Sequence, residues 1–199
     1  MNRKAYFNKV AAIWDQKYCT PELESFITKL VPLFGLRAGQ NVLDVGTGTG
    51  ILIPFISREV APSGFITAID YAENMVQNCR LKHSHLKNVS IKLEDIEEPN
   101  LPPEHYDAIT CFGLFPHLEN KWKALHQMNH LLKSGGKLVI AHALSSTEIR
   151  TRHKSASSAV LSDALPEKTE MELLLKRAGF ADIHIKDETG CYLCTSNKR

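Results

Sequence analysis

The chain has 199 residues, 43% of them hydrophobic, and a formal net charge of +2. This length and apolar content can bury the core of a single domain, and the small net charge gives no electrostatic case for nucleic-acid binding. No apolar run approaches the roughly 20 residues that a membrane span needs, and the N-terminus lacks the apolar core of a signal peptide. We therefore predict a cytoplasmic protein with no nucleic-acid or membrane partner. Whether it forms a homodimer is left open.

Two helical stretches are predicted before the first strand, at residues 4–18 and 22–34. The predicted strands are residues 41–45, 65–70, 89–93, 106–111, 137–142, 181–186 and 191–195. The predicted helices between most of them are residues 51–60, 73–83, 120–133 and 167–178. This alternation is typical of an α/β protein with a mostly parallel, Rossmann-like sheet that is covered by helices on both faces.

The last two predicted strands are joined only by residues 187–190. This connection is too short for a parallel crossover, so we expect a C-terminal antiparallel hairpin. Its second strand contains Cys191 and Cys194, a C-x-x-C spacing that could serve redox chemistry or a metal. Because residues three apart on a strand point to opposite faces, we expect both thiols to be structural.

The stretch from Val42 to Gly50 is the most informative part of the sequence. An apolar run that contains Asp44 ends in glycines at positions 46, 48 and 50. The run predicts a buried strand, and the glycines predict a turn whose backbone a ligand can approach closely. Since a helix is predicted to begin next, backbone N–H groups and a helix N-terminus would face the ligand. The segment therefore indicates a nucleotide-cofactor site.

The glycine loop can be interpreted as a site for either of two cofactor classes. A dinucleotide fingerprint, G-x-G-x-x-G/A, requires Gly or Ala where this chain has Ile51, and the observed spacing is G-x-G-x-G. The negative charge of Asp44 is awkward for a pyrophosphate, whereas it suits a ligand that carries an ammonium and a sulfonium group. The loop therefore favours a cationic ligand over a nicotinamide dinucleotide.

Over residues 41–142 the chain resembles the class I S-adenosylmethionine-dependent methyltransferases. Residues 44–50, Asp-Val-Gly-Thr-Gly-Thr-Gly, match the first motif of that family, and similar matches follow at residues 65–70, 71–76, 94–96, 106–112 and 131–138. The resemblance implies S-adenosylmethionine as the cofactor, with Asp70 on the ribose hydroxyls, Met75 near the adenine and Asp95 on the adenine amino group. The cofactor-binding residues that it implies are Asp44, Gly46, Thr47, Gly48, Gly50, Asp70, Tyr71, Met75, Asp95, Ile96 and Cys111.

Motifs for the methylation of nucleobase or glutamine amino groups are missing after the fourth strand. Residues 111–115, Cys-Phe-Gly-Leu-Phe, contain neither an Asn/Asp-Pro-Pro-aromatic motif nor the Pro-Cys pair of cytosine C5 enzymes. The size of the chain and residues 10–15 resemble the small-molecule branch near the ubiquinone/menaquinone methyltransferases, in which N-terminal helices cover the active site. We therefore predict methyl transfer to a small-molecule acceptor. A non-catalytic S-adenosylmethionine-binding protein is an alternative, and an NAD-dependent oxidoreductase is disfavoured by Ile51 and Asp44.

Methyl transfer needs a base only if the nucleophile arrives protonated. The candidate catalytic residues follow the strands at the carboxyl edge of the predicted sheet and are His117, His142, His153 and Asp163. The last three could converge over the sulfonium as an acid/base set or as metal ligands, and no metal is assigned. The alternative is that His142 only satisfies a strand end, while His153 and Asp163 are solvated.

We expect one domain over residues 1–199. It comprises a helical lid at residues 1–36, a cofactor-binding core at 40–142, an active-site cap at 144–166, and a C-terminal helix and hairpin at 167–199. The cap is predicted as the least regular region, rich in Ser, Thr and charged residues. Tyr6, Phe7 and Trp14 have helical spacing, and two uses weigh equally for them: core packing and the wall of a substrate pocket.

Overall fold

Seven strands build one mixed sheet in the computed structural model, which describes residues 2–154 and 158–199. The strands are β1 (Asn41–Val45), β2 (Phe65–Asp70), β3 (Val89–Leu93), β4 (Tyr106–Phe112), β5 (Leu132–His142), β6 (Phe180–Glu188) and β7 (Cys191–Lys198). Their order across the sheet is β3-β2-β1-β4-β5-β7-β6. The first five strands run parallel, whereas β6 and β7 form an antiparallel hairpin in which β7 also pairs antiparallel with β5.

Helices precede the sheet and connect its strands. Those in the described part of the chain are α1 (Arg3–Val10), α2 (Trp14–Tyr18), α3 (Pro21–Leu30), α4 (Ile53–Val60), α5 (Glu73–His83), α6 (Lys121–Leu131), α7 (Ser146–Lys154) and α8 (Lys168–Arg177). Thr20 caps α3, since its hydroxyl accepts a hydrogen bond from the Leu23 N–H group. None of these helices has the length and apolar character needed to cross a bilayer.

The sheet is buried on both faces because alternate residues of its central strands point to opposite sides. In β1, Leu43 and Val45 belong to the hydrophobic cluster that includes α6 and α8, whereas Val42 belongs to the cluster that includes α3 and α4. Cys191 and Cys194 of β7 likewise pack with different clusters, as expected of residues three apart. The predicted α/β fold, with helices on both faces and a C-terminal hairpin, is confirmed.

The strand order reverses between β1 and β4, which are neighbours in the sheet although β2 and β3 separate them in the chain. Open α/β sheets bind ligands in the crevice outside the carboxyl ends of the strands at such a point. The segments that follow β1, β2, β3, β4 and β5 all leave the sheet at this edge. The fold therefore gathers the glycine loop and most of the predicted site residues at one place.

The N-terminal helix is shorter than predicted. Instead of one helix over residues 4–18, a 3₁₀ turn at Ala11–Ile13 separates α1 from α2. The Ala11 side chain is buried against α5, and its carbonyl accepts a hydrogen bond from the Asn78 side chain of that helix at 2.9 Å. Packing against α5 thus decides where the N-terminal helix is interrupted.

Two further elements differ from the prediction. Strand β5 begins at Leu132 rather than at residue 137, because Leu132 pairs with Tyr106 before an irregularity in the ladder. The cap at residues 144–166 was predicted as irregular, but it contains the nine-residue helix α7. Residues 155–157 of this predicted cap lie outside the described part of the chain.

Candidate active site

The glycine loop that follows β1 is held by its own backbone. The Thr47 N–H group donates to the carbonyl of Ile69 in β2 (2.9 Å), and the Gly50 N–H group donates to the Thr47 carbonyl (2.8 Å). Gly46, Gly48 and Gly50 have φ angles of 67°, 56° and 89°. These left-handed angles favour glycine over residues that carry a Cβ atom. The loop therefore turns sharply out of β1 at the edge where ligands bind.

The three glycines differ in how much room a side chain would have. A Cβ atom at Gly46 would lie 2.6 Å from the Leu114 side chain, and one at Gly50 would lie 2.6 Å from a histidine ring of α5. At Gly48 the nearest atom beyond the adjoining residues would be Trp14 Nε1, at 3.9 Å. Gly46 and Gly50 therefore permit close packing of the protein on itself, whereas Gly48 leaves its backbone accessible to a ligand.

Asp70 is the last residue of β2, and its side chain connects this strand to the glycine loop through a hydrogen bond. One carboxylate oxygen accepts a hydrogen bond from the Gly48 N–H group at 3.0 Å, and the other accepts one from the Ala72 N–H group at 2.9 Å. The residue is buried, and burial raises the pKa of its carboxyl to about 6, against the opposing effect of the two backbone bonds. The carboxylate is therefore fixed beside the glycine loop and is mainly ionised at pH 7.

Two cavities open at this edge of the sheet. The first, which we call the aromatic cavity, has a volume of about 440 Å³ and is lined in part by Phe7, Trp14 and Tyr18. The second, the acidic cavity, has a volume of about 510 Å³ and is lined in part by Glu94 and Asp95. The residues that line both are Gly46, Asp70, Tyr71, Leu114 and His117. Because the cavities share these walls, one extended ligand can reach from one into the other.

Most of the predicted cofactor residues lie on these walls. The aromatic cavity is lined by Gly46, Thr47, Gly48, Asp70, Tyr71 and Met75. The acidic cavity is lined by Asp95 and Ile96 in addition to the shared residues. Three predicted residues, Asp44, Gly50 and Cys111, line neither cavity.

Asp44 and Cys111 lie in the interior beneath the site. Asp44 accepts a hydrogen bond from the Thr110 hydroxyl of the neighbouring strand β4 at 2.8 Å. Burial raises the pKa of Asp44 to about 6, and hydrogen bonding to its carboxylate opposes the shift. Cys111 is 1% exposed and belongs to the hydrophobic core. Because the protein encloses both side chains and neither lines a cavity, their cofactor contacts stay predictions.

The walls of the two cavities fit S-adenosylmethionine. The carboxylates of Asp70 and Asp95 line the acidic cavity, and carboxylates can accept hydrogen bonds from donors such as ribose hydroxyls and the adenine amino group. Ile96 and Leu114 supply apolar surface for a flat ring. The open backbone at Gly48 lies on the side of the aromatic cavity, where the amino-acid end of such a ligand would be held.

A buried carboxylate joins the predicted cap to α1 and to the loop after β4. The side chain of Asp163 is 0% exposed, and it accepts hydrogen bonds from Arg3 Nη2 (2.5 Å) and from His117 Nδ1 (2.7 Å). His153 Nδ1 lies 2.6 Å from the Asp163 carbonyl oxygen. Although burial opposes ionisation, the bonds from His117 and Arg3 hold the pKa of Asp163 well below its usual range. The alternative of a solvated Asp163 is therefore wrong.

Three of the four candidate catalytic residues line the aromatic cavity, and the fourth, Asp163, lines neither cavity but bonds to His117. The His117 ring lies 5.0 Å from the His153 ring, and both line the cavity together with His142. His142 is buried, and its Nε2 atom has no hydrogen-bond partner in the described part of the chain. Across residues 2–154 and 158–199, no three histidine, cysteine or carboxylate side chains are arranged to hold a metal ion. The catalytic roles of these residues remain predictions.

The sequence gives no signal for the role of Arg3 and does not decide between the two uses of the aromatic residues. Arg3 lies 160 positions from Asp163, and nothing in its own segment indicates the partner. Tyr6, Phe7 and Trp14 line the aromatic cavity, and the last two also pack around the cluster that contains Met75. Phe7 and Trp14 therefore serve both predicted uses, core packing and the wall of a cavity, whereas Tyr6 contributes to the cavity wall.

His142 should make the protein less stable as the pH falls. Burial lowers its pKa from 6.5 to about 3, so between these values the unfolded chain binds a proton that the folded chain excludes. The stability is complete above pH 6.5 and is lost as the pH falls toward 3. In urea denaturation, His142→Phe should reduce the loss of unfolding free energy between pH 7 and pH 5.5 by about 1 kcal/mol.

The matched control is His126→Gln, which replaces an exposed histidine of α6. This variant should keep the pH dependence of the wild type. The same pH dependence in His142→Phe and in the wild type would contradict the prediction, since it would mean that His142 takes up its proton equally in the folded and unfolded chains.

The fold and the arrangement of the site are those of the methyltransferase domain class. A SAM-dependent methyltransferase from Aquifex aeolicus superimposes with a TM-score of 0.72 at 25% identity, over 100% of both chains. A phosphoethanolamine N-methyltransferase from Haemonchus contortus, solved with S-adenosyl-L-methionine, shares the fold with a TM-score of 0.75 at 16% identity, over 98% of this chain and 58% of that one. Both comparisons show that the chain shares the fold of these methyltransferases.

The chain belongs to the methyltransferase domain family, whose model matches residues 36–179. It is 40% identical to the ubiquinone/menaquinone biosynthesis C-methyltransferase of Psychromonas ingrahamii over 110 residues, which are 53% of this chain and 43% of the relative. It is 27% identical to the demethylmenaquinone methyltransferase of Staphylococcus aureus strain JH9 over 179 residues, 78% of this chain and 74% of the relative. The first of these matches spans less than half the length of the relative.

Proposed function

We propose that the protein transfers the methyl group of S-adenosylmethionine to a small-molecule acceptor in the aromatic cavity. The observation that carries this proposal is the meeting of the two cavities at Gly46, Asp70, Tyr71 and His117. One cavity has the carboxylates that suit an adenosine moiety, and the other has the glycine loop and room for a second molecule. The family of the chain and its relatives support the same activity.

Each end of the cofactor has candidate partners. We assign the adenosine moiety to the acidic cavity, with Asp70 at the ribose and Asp95 and Ile96 at the adenine. Met75, which the resemblance places near the adenine, lines only the aromatic cavity and has no place in this assignment. We assign the amino-acid end to the glycine loop at Gly46 and Gly48. When bound, S-adenosylmethionine supplies a methyl group that is already activated on a sulfonium. The protein then has to position the acceptor and exclude water from it.

The aromatic cavity suits a flat, largely apolar acceptor. Phe7 and Trp14 come from the N-terminal helices, and Leu144, Ile149 and Val160 come from the segment after β5. We propose that residues 1–36 act as a lid and residues 144–166 as a cap over the 40–142 core, with 167–199 completing one domain. The names of the relatives point to an acceptor related to the quinones, such as a quinol. No observation favours the non-catalytic or the NAD-dependent alternative. The cytoplasmic location and the homodimer stay predictions.

Titration calorimetry with S-adenosylhomocysteine tests the cofactor half of the proposal. The wild type should bind it with a one-to-one stoichiometry. Incubation with S-adenosylmethionine and a panel of phenols, quinols and thiols, followed by mass spectrometry, should then reveal a product heavier by one methylene unit. An absence of binding at high ligand concentration would overturn the proposed function, and binding without any methylated product would favour the non-catalytic alternative.

A further inference from the structure

Three segments that are far apart in the chain meet at the Asp163 carboxylate. Arg3 comes from α1, His117 follows β4, and Asp163 follows α7. The guanidinium of Arg3 reaches both carboxylate oxygens, with Nε at 3.0 Å and 3.1 Å from them. His117 Nδ1 lies 2.7 Å from one of these oxygens. Arg3 therefore holds the carboxylate, and the carboxylate in turn holds the imidazole ring.

These contacts determine which nitrogen of His117 carries the proton. An ionised carboxylate can only accept hydrogen bonds, so His117 Nδ1 must donate to Asp163. In a neutral imidazole the proton on Nδ1 leaves a lone pair on Nε2. The same reasoning applies to His153, whose Nδ1 faces the Asp163 carbonyl oxygen at 2.6 Å. The described geometry thus prepares Nε2 of His117 as a proton acceptor.

His117 lies where the two cavities meet, so its Nε2 lone pair is at the proposed reaction site. His117 is one of the residues that line both the aromatic and the acidic cavity. Its side chain is only 13% exposed, and the ring of Phe7 lies 5.2 Å from its own. It therefore stands between the place assigned to the adenosine and the place assigned to the acceptor, shielded from bulk water.

We propose that His117 is the general base for methyl transfer, that Asp163 and Arg3 are positioning residues for it, and that the acceptor is a protic nucleophile. The proposal rests on the proposed methyltransferase function and names the acceptor class for the same site. As the acceptor atom bonds to the methyl carbon, the carbon–sulfur bond breaks and its electron pair stays on sulfur. The proton of the acceptor passes to His117 Nε2, and it is released to solvent after the product leaves.

Several titratable groups surround His117 and shape its pH dependence. They are Arg3 from α1, Tyr71 after β2, Lys121 of α6, His142 from β5, and His153 and Asp163 from the cap. Burial lowers the pKa of His117, His153 and Arg3 lower it further, and Asp163 opposes the shift. The net direction is downward, so the ring is neutral at pH 7. The rate with a protonated acceptor should therefore be constant above neutral pH and fall in acid.

The tautomer of His117 can be measured without an acceptor. In ¹⁵N-labelled wild type saturated with S-adenosylhomocysteine at pH 7.5, His117 should show a protonated Nδ1 and an unprotonated Nε2. Asp163→Asn should weaken this preference, whereas His126→Gln should leave it unchanged. A doubly protonated His117, or one protonated on Nε2, overturns the proposal. If S-adenosylhomocysteine does not bind at all, the proposed function itself fails, and calorimetry distinguishes that result.

Two probe acceptors test the base role directly. Phenol keeps its proton at pH 7.5 and needs a base, whereas 4-nitrothiophenol is ionised and does not. His117→Gln should slow methylation of phenol by about 100-fold or more and spare that of the thiophenolate. Arg3→Lys should lose less than Arg3→Ala, and both should change the tautomer signal. An equal loss with both probes overturns the proposal, and if neither probe turns over, the tautomer measurement decides it.

Discussion

Gly50→Ala should lower the free energy of unfolding by about 3 kcal/mol, because it combines backbone strain with overpacking. Gly50 has a φ of 89°, and a Cβ atom there would lie 2.6 Å from the His83 ring and 2.8 Å from Cys79 Sγ. Both neighbours belong to α5, and Cys79 is fully buried, so they have little room to retreat. Urea denaturation at pH 7.5 measures the loss.

Gly190→Ala separates the two causes. Gly190 lies between β6 and β7 and has a φ of 76°, but a Cβ atom there would meet nothing within 4 Å. This variant should lose only the strain, about 1 kcal/mol. Equal losses in Gly50→Ala and Gly190→Ala would mean that α5 yields to the new methyl group. Contact with α5 would then not explain the glycine at position 50.

Asp70→Ala should weaken the binding of S-adenosylhomocysteine by about 10-fold to 150-fold, which corresponds to the loss of hydrogen bonds to a charged acceptor. Asp70 lines both cavities, and its carboxylate is already oriented by the Gly48 and Ala72 N–H groups. Removing it eliminates the acceptor and also releases the loop that carries Gly48. Asp70→Asn retains one oxygen acceptor and should lose less. Calorimetry gives both dissociation constants.

Asp107→Ala is the matched control for Asp70. Asp107 is a partly buried carboxylate that accepts a hydrogen bond from the Asn41 N–H group at 2.7 Å, at the amino edge of the sheet. This substitution removes a comparable backbone bond far from both cavities, so the protein should lose stability and keep its affinity. If Asp107→Ala weakens binding as much as Asp70→Ala, general destabilisation accounts for both, and Asp70 has no specific role at the ribose.

The fold and the cofactor loop could be predicted because their signals are local. The apolar run of β1 with its three glycines specifies a strand and a turn within ten residues, and the structure has both at those positions. The short connection before Cys191 leaves no choice but an antiparallel hairpin, which is observed. The end of a helix cannot be predicted from local signals when a contact with another element determines it. The hydrogen bond from Asn78 of α5 has this effect on the turn at Ala11–Ile13.

The surroundings of individual side chains could not be predicted from the sequence. Asp44 and Cys111 belong to strands next to the cofactor motif, yet both side chains are enclosed by the core, because alternation along a strand does not show which face borders a cavity. Arg3 and Asp163 are 160 positions apart, and only the folded chain brings them to one carboxylate with His117. The helix α7 within the cap was likewise not predicted, because its segment is rich in Ser, Thr and charged residues.

By itself, the sequence determined the class of fold, the glycine loop and the kind of cofactor that the loop accepts. Those features depend on residue periodicity and on backbone angles that glycine adopts readily, and both act over a few neighbouring residues. The tertiary structure alone decided that an aromatic cavity adjoins an acidic one and that His117 stands between them. Such an arrangement depends on which distant segments pack together, and the contacts among Arg3, His117 and Asp163 that set their protonation states exist only in the folded chain.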